Sequence, residues 1–188
     1  MIAAAIRKTP ETVEVRISSD LQKEVKGELK LEVRRITGEI RSERKLKVEL
    51  AASSAAILET IPVSDLSETP AEDFLYLEFQ GESGDVPIHF VNECFLAKYK
   101  EYQLPQPRIQ TQITSDENGL MHLKLSTDKS AFYVFAEFKG IQAVFSDNSF
   151  TLLPDHPRDL TFRLDKEIPI ETLEKTLKIR HLRGSYSE

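Results

Sequence analysis

The sequence predicts an all-β protein made of two tandem antiparallel β-sandwiches, and three observations support this fold class. Apolar and polar residues alternate with a period of two through most of the chain. Turn-forming residues recur at intervals of roughly 10 residues. A proline-rich segment near the middle separates two stretches of similar pattern. Because alternation gives each strand one buried and one wet face, it is typical of a sandwich of antiparallel sheets.

Residues 9–97 are predicted to form the first sandwich. Its strands are indicated by sets of three apolar residues spaced two apart, so that each set points to one face of a strand. The sets are Val13, Val15 and Ile17, then Leu29, Leu31 and Val33, then Leu46, Val48 and Leu50, and then Leu75, Leu77 and Phe79. Thr37-Gly38 and residues 81–85 are turn signals, and residues 87–97 are predicted as the last strand.

Residues 98–107 are predicted to connect two domains. The tetrapeptide Leu104-Pro105-Gln106-Pro107 holds two prolines in four positions. Each proline fixes its own φ and biases the preceding residue towards an extended conformation. We therefore expect a semi-rigid link, followed by a second sandwich over residues 108–188.

The second half repeats the alternating style of the first. Met121, Leu123 and Leu125 lie two apart, and the preceding Asn118-Gly119 pair is typical of a hairpin turn. Residues 131–138 are almost continuously apolar, which predicts a central strand covered on both faces. Residues 169–175 are predicted to form one or two helical turns before a closing strand at residues 177–179.

A polar corner between two apolar pieces is the most distinctive stretch of the second half. Residues 146–148 are short polar side chains that bond their own backbone and favour turns. The strand after them places its apolar residues on one face, and a proline that cannot donate to a ladder ends it. The corner motif consists of Phe145, Asp147, Asn148, Phe150 and Pro154.

Composition narrows the classes of partner. The net charge of −6 argues against nucleic acid, since neutralising phosphates requires a basic surface. No apolar run approaches the roughly 20 residues that span a bilayer. Residues 1–8 lack the charged start and long apolar core of a signal peptide, and we interpret them as the end of a preceding segment or an artificial start. The single Cys94 excludes an internal disulfide.

The sequence predicts neither a metal nor a cofactor. The histidines are not at metal-ligand spacing, so structural or surface roles are favoured for all of them. They are His89, His122 and His181, placed in strands, and His156, placed in a loop. Cys94 is interpreted as a buried, inert thiol. Asp147 and Asn148 are favoured as turn formers over calcium ligands, because calcium requires six to eight oxygens. With 31 acidic residues, spacing selects no acid/base pair.

Tyrosines are the candidate sugar contacts, since the chain has no tryptophan. Flat apolar rings with a polar edge suit the stacking of pyranose rings. Tyr99 and Tyr102 flank the connector and are predicted to be the most exposed tyrosines. Packing at the domain junction is favoured over a sugar platform for both of them.

Three blocks of the sequence resemble the end of glycoside hydrolase family 2 β-mannosidases. The corner, FSDNSFTLLP, is similar to the family's FSDNxFxLxPG segment, with Asp155 in place of the usual glycine and no aromatic residue at Ser149. Residues 95–107, FLAKYKEYQLPQP, resemble the passage between the last two immunoglobulin-like domains. Residues 173–186, LEKTLKIRHLRGSY, are similar to the closing strand. Residues 9–97 match in pattern alone.

The resemblance implies a specific role. Such enzymes carry two catalytic glutamates on a (β/α)₈ barrel and hydrolyse terminal β-D-mannosides with retention, whereas the terminal immunoglobulin-like domains are non-catalytic. A barrel of roughly 250 residues does not fit in this chain, so no catalytic residue is assigned to any position. The implied partner is the catalytic barrel of the parent chain. The alternatives are a carbohydrate-binding module for mannose-containing glycans and a surface adhesion tandem. The parent enzyme could be periplasmic, secreted, lysosomal or cytosolic, and the sequence does not select one of these compartments.

Overall fold

The structure of the chain is a computed structural model that describes residues 2–186, without the side chains of residues 2–5 and 7. The chain divides into two compact units, residues 1–103 and 104–188. The division falls inside the segment predicted as the connector. Each unit contains a three-stranded and a four-stranded sheet, and every strand pairing is antiparallel. The prediction of two antiparallel sandwiches is thus confirmed.

The first unit contains seven strands in its described part. Their bounds are β1 Ile2–Lys8, β2 Thr12–Ser19, β3 Val25–Arg35, β4 Ile40–Leu50, β5 Ser54–Pro62, β6 Asp73–Ser83 and β7 Val86–Phe95. A four-residue helix, α1 (Val63–Leu66), follows β5, and a 3₁₀ turn spans Tyr99–Glu101. The sheet orders are β1-β2-β5 and β4-β3-β6-β7.

The core of the first unit lies between these two sheets. The apolar residues that alternate along β2, β3 and β6 are buried. Most of the polar residues between them are at least partly exposed, but Glu32 and Arg34 of β3 are buried as an ion pair. This is the arrangement that a period of two predicts when one face of each sheet is covered. The triplet of β4 is less regular, because Leu46 is only partly buried near the edge of its sheet.

Two strands of the first unit were missed by the sequence analysis. Residues 2–8 were interpreted as lying outside the fold, but they form β1, which pairs with β2 from Ile2↔Ser19 to Lys8↔Val13. Its run of small apolar residues shows no alternation, so periodicity gave no signal. In β5 the register shifts opposite Val15 and Arg16, which leaves Leu58 as an extra residue. Such a bulge breaks the period of two and hides the strand.

The second unit also contains seven strands in its described part. Their bounds are β8 Ile109–Ser115, β9 Met121–Thr127, β10 Ala131–Phe138, β11 Ala143–Phe145, β12 Phe150–Leu152, β13 Arg158–Leu164 and β14 Leu177–Arg180. Helix α2 (Ile170–Thr176) precedes β14, and a 3₁₀ turn spans Leu182–Ser185. The sheet orders are β12-β10-β14 and β11-β13-β9-β8.

Strand β10 is the central strand of its sheet, as its apolar run predicted. It is not covered on both faces, however, because one face is partly exposed to solvent. Val134 and Ala136 are buried in the core, whereas Phe135 is 41% exposed. The strand is irregular near its start, where its register with β12 shifts between Ala131 and Val134 and Tyr133 has a φ of 52°. A bulge of this kind turns side chains away from the faces that strict alternation would give them.

A pair of facing glycines fixes how closely β3 and β6 approach. Gly27 is the cross-strand partner of Gly81, and the ring of Phe79 lies over both of them. A Cβ at Gly27 would lie 2.8 Å from Cζ of Phe79 and nearer still to the carbonyl oxygen of Gln80. Phe79 stacks in turn on Phe90, with the ring centroids 5.0 Å apart. The glycines therefore make room for an aromatic ring inside the core.

We predict that Gly27→Ala lowers the free energy of unfolding by roughly 1–3 kcal/mol, as overpacking of a core typically does. The added methyl group meets backbone, which cannot rotate away. Urea unfolding followed by circular dichroism measures the change. Ser42→Ala, at an exposed site of β4, is the control and should be nearly neutral. Equal stability of the two variants would show that the sheet yields to a Cβ at position 27.

Candidate functional site

The corner of the second unit carries the chain from one sheet to the other. Strand β11 belongs to the four-stranded sheet and β12 to the three-stranded sheet, and residues 146–149 join them. The side-chain amide of Asn148 anchors this crossing. Its Oδ1 accepts a hydrogen bond from the backbone N–H of Ala136 at 2.8 Å, and its Nδ2 donates to the carbonyl oxygen of Ala136 at 2.9 Å.

Asn148 replaces a peptide group of a neighbouring strand. The ladder between β10 and β12 ends at Val134↔Phe150, and the next outward-facing backbone groups on that side belong to Ala136. Asn148 satisfies both the donor and the acceptor of Ala136, which a buried backbone requires. The amide is therefore committed to the fold.

The other polar side chains of the corner are also committed. Asp147 accepts the backbone N–H of Asn148 at 2.8 Å and forms an ion pair with Arg158. The Arg158 guanidinium lies 5.0 Å from the centre of the Phe150 ring. Ser146 exchanges hydrogen bonds with Thr161 on β13. This arrangement supports the turn-forming interpretation of the corner, because the carboxylate already has a cationic partner.

Phe145 and Phe150 of the corner motif both pack into the core of the second unit. Phe145 packs against Phe138 and Phe162, with ring centroids 5.5 Å and 5.1 Å apart. Phe150 is buried in the core of the second unit. Pro154 lies in a turn closed by an antiparallel bridge between Leu153 and His156.

An open groove lies beside this corner and a second one adjoins it, and the sequence analysis identified neither. The corner groove, of about 620 Å³, is lined by residues 135–138 and 141–145 together with Asn148, Arg163 and Asp165. The end groove, of about 790 Å³, is lined mainly by residues 164–170. Asp165 lines both grooves, so they adjoin. Alternation along a strand cannot reveal grooves that form where loops leave a sheet.

The expectation that Tyr102 is exposed was wrong. Its side chain is only 4% exposed, and its hydroxyl lies 2.7 Å from the carbonyl oxygens of both Pro70 and Asp73. The hydroxyl oxygen also accepts the backbone N–H of Ala97 at 3.0 Å. Burial raises the pKa of Tyr102 to about 12. The sequence could not show that three backbone groups converge on this phenol, which fixes the segment after β7.

Tyr99 is the one tyrosine of the pair that offers a surface. It is 49% exposed and packs edge-on against Phe95, with ring centroids 4.7 Å apart. Phe95 also contacts Tyr102 edge-on at 5.0 Å. Tyr99 is thus held in place by an aromatic neighbour while part of its ring stays accessible to solvent.

Each histidine lies near a polar group. The prediction that His181 lies in a strand was wrong. His89 and His122 lie in strands, with ring nitrogens 3.0 Å from Glu78 and 3.1 Å from Asp159 respectively. His156 Nδ1 is 3.1 Å from Asp155. His181 follows β14, accepts the backbone N–H of Gly184 at 3.1 Å and caps the 3₁₀ turn. Burial, together with the positive charge of Arg183, lowers the pKa of His181.

Glu78 is the centre of a charge cluster that the sequence analysis missed. It lies within 3.1 Å of Lys30, His89 and Gln80 on the outer face of β3, β6 and β7. Burial opposes ionisation of Glu78, but the hydrogen bonds from these three side chains outweigh it and lower its pKa to about 2. The register of the sheet could have indicated the cluster, since His89 is the cross-strand partner of Gln80.

Cys94 is half-buried and packs against the core of the first unit, and burial raises the pKa of its thiol. Within residues 2–186, no group of three or more His, Cys, Asp and Glu side chains is arranged to hold a metal ion. In the same part of the chain, neither helix has the length and apolar character needed to cross a bilayer.

We predict that Asn148→Asp lowers the free energy of unfolding by about 2 kcal/mol, since a carboxylate cannot donate to Ala136 and repels its carbonyl oxygen. Asn118→Asp is the matched control, because it makes the same change in an exposed turn. Thermal unfolding of the two variants at neutral pH gives the comparison. If both variants unfold at the same temperature, the amide does not anchor the corner.

We also predict that Tyr102→Phe costs roughly 1–3 kcal/mol, because the N–H of Ala97 and the two carbonyl groups lose a buried partner. Since the pKa of Tyr102 is raised on folding, this stabilisation is complete below the unfolded pKa of about 10 and declines as the pH rises towards 12. Urea titrations at several pH values measure it, with Tyr99→Phe as the control. A wild-type advantage that stays constant up to pH 12 would contradict the burial of this phenol.

Comparisons with known proteins identify both units. A mannosidase Ig/CBM-like domain model matches residues 11–101, and a mannosidase model described as an Ig-fold domain matches residues 104–185. Together the two matches account for nearly the whole chain. None of the curated proteins matches it significantly.

Two solved structures show the same fold. The β-D-mannosidase of Dictyoglomus thermophilum superposes with a TM-score of 0.77 at 18% identity, over 96% of this chain and 21% of that protein. The exo-chitosanase CsxA of Amycolatopsis orientalis gives a TM-score of 0.56 at 13% identity, over 95% of this chain and 25% of that protein. The chain thus spans about a fifth to a quarter of the length of these structures.

The family matches confirm the predicted tandem of immunoglobulin-like sandwiches and the resemblance on which it partly rested. The boundary between the two matches lies between residues 101 and 104. Residues 11–101 and 104–185 thus belong to two families of mannosidase immunoglobulin-like domains, and the chain is a tandem of one domain of each family.

Proposed function

We propose that this chain is a non-catalytic accessory region of a β-mannosidase-like glycoside hydrolase and that it packs on the catalytic barrel of its parent. The observation that carries the proposal is the tandem match of residues 11–101 and 104–185 to two mannosidase domain types in succession. The parent would hydrolyse terminal β-D-mannosides with retention, using a pair of carboxylates about 5–5.5 Å apart.

The chemistry of the described side chains supports an accessory role. Retaining hydrolysis requires one carboxylic acid with a raised pKa beside an ionised carboxylate. In the charge cluster, the pKa of Glu78 is instead lowered by its cationic and amide neighbours, which suits a structural ion pair. At the corner, Asp147 is paired with Arg158. Both acidic groups are thus engaged in interactions within the fold.

An accessory sandwich contributes through its surface. The sheets bury their own cores, so the faces and loops that remain are available to shape the edge of a cleft or to support the domain that contains it. Contacts between domains of one chain typically bury roughly 600–1,500 Å². The expected contribution is therefore to the stability of the catalytic domain and to the geometry of its cleft.

We predict that residues 1–188, purified alone, give a cooperative unfolding transition and do not release p-nitrophenol from p-nitrophenyl β-D-mannoside, whereas the parent enzyme does. The assay compares both proteins at equal molar concentration with a no-enzyme blank. Turnover by the isolated chain above the blank would overturn the non-catalytic assignment. A parent protein that is inactive on this substrate and on other p-nitrophenyl glycosides would overturn the glycosidase assignment itself.

Carbohydrate binding is the second candidate function. It is favoured by the description of the first domain type as CBM-like and by the half-exposed ring of Tyr99. Titration with mannobiose or soluble mannan tests it. Saturable binding that is lost in Tyr99→Ala and retained in Tyr102→Phe would support a sugar platform at Tyr99. Equal binding by both variants, or none by the wild type, would reject this site.

A further inference from the structure

The exposed large apolar residues of the second unit are concentrated at the two grooves. In the described part of residues 104–188 they are Val144, which is 82% exposed, Phe135 at 41% and Ile170 at 37%. Val144 and Phe135 line the corner groove, and Ile170 lines the end groove. Single exposed apolar residues are ordinary, but a group gathered along adjoining grooves is typical of an interaction surface.

The position of Val144 explains why no element of its own unit covers it. Strand β11 lies at the edge of its sheet and pairs with β13, where Val144 is opposite Arg163. Its neighbours Ala143 and Phe145 alternate to the other face, and Phe145 joins the aromatic cluster of the core. Val144 lies on the outer face of a short edge strand and is not part of the core cluster, so its exposed side chain can contact another molecule.

Charged side chains of both signs surround the apolar groups. Arg163 and Asp165 line the corner groove, and Lys166 and Glu167 line the end groove beside Asp165. At the rim, Glu137 forms an ion pair of 2.6 Å with Arg180. An apolar centre with a polar rim of mixed charge is the usual composition of a protein interface. Neither groove is lined by a tyrosine in the described residues, which favours protein over sugar as the occupant.

We propose that the surface formed by the corner groove and the end groove binds a folded domain of the parent polypeptide that lies outside residues 1–188. This inference rests on the proposed function. The chain covers 21% of the Dictyoglomus thermophilum β-D-mannosidase, so most of an enzyme of that length is available as an intramolecular partner. A partner in the same chain is present at a high effective concentration, so a surface of modest area and mixed polarity suffices.

Thiol labelling at Val144 tests the proposal. In a Cys94→Ala background, Val144→Cys is prepared in the 188-residue chain and in the parent enzyme, and its reaction with a maleimide is timed. Gln112→Cys, at an exposed site on the opposite edge strand β8, is the matched control. We expect Val144→Cys to react as fast as the control in the isolated chain and about tenfold or more slowly in the parent enzyme.

The possible outcomes separate this inference from the proposed function. Equal labelling of Val144→Cys in both proteins would overturn the docking surface and leave the accessory role intact if the parent hydrolyses a β-mannoside. If Val144→Cys is protected from labelling in the isolated chain, and the protection increases with protein concentration, the occupant is a second copy of the chain. That result would also overturn the proposal of an intramolecular partner. Val144→Asp should lower the melting temperature of the parent enzyme and leave that of the isolated chain unchanged.

Discussion

The hydrogen-bonded pair between the Asn148 side chain and the backbone of Ala136 is the interaction on which the architecture of the second unit depends. The chain must leave the four-stranded sheet after β11 and join the three-stranded sheet at β12 within four residues. On its other side Ala136 pairs with Ile179 of β14, but a crossing that short leaves it without a strand partner on the β12 side. The carboxamide supplies both missing hydrogen bonds, and this fixes where β12 begins.

The same crossing creates the surface features of the unit. Because β11 ends at Phe145 and the chain then moves to the other sheet, β10 and β11 lie in different sheets and are joined by a turn at residues 139–142. The corner groove opens there. The crossing from β11 to β12 therefore accounts for both the closed core and the uncovered groove. It also explains why the corner, whose sequence resembles that of the family, is adjacent to the most exposed valine of the unit.

The sequence predicted the features that depend on local pattern. Strands such as β2 and β9 alternate regularly because each has one face on a core, and the Asn118-Gly119 turn and the α2 segment have local signatures. Features that depend on tertiary contacts were not predictable in this way. Tyr102 appeared exposed because it lies beside a proline-rich segment, yet Pro70 and Asp73, about 30 residues earlier, surround its hydroxyl. Strand β1 is defined by its pairing with β2, and the grooves by residues from several elements.

This division between local and tertiary features bears on how an accessory domain acquires function. In both units the polar groups with the most distinctive environments are consumed by the fold: Asn148 completes a ladder, the Tyr102 hydroxyl fixes the segment after β7, and Glu78 is held ionised by its neighbours. Groups that are already satisfied have little to offer a substrate. In the second unit, apolar surface on Val144 and Phe135 remains exposed to water. Removing such area from water is favourable without any directional chemistry, so the physical capacity of this surface is for association with another folded domain.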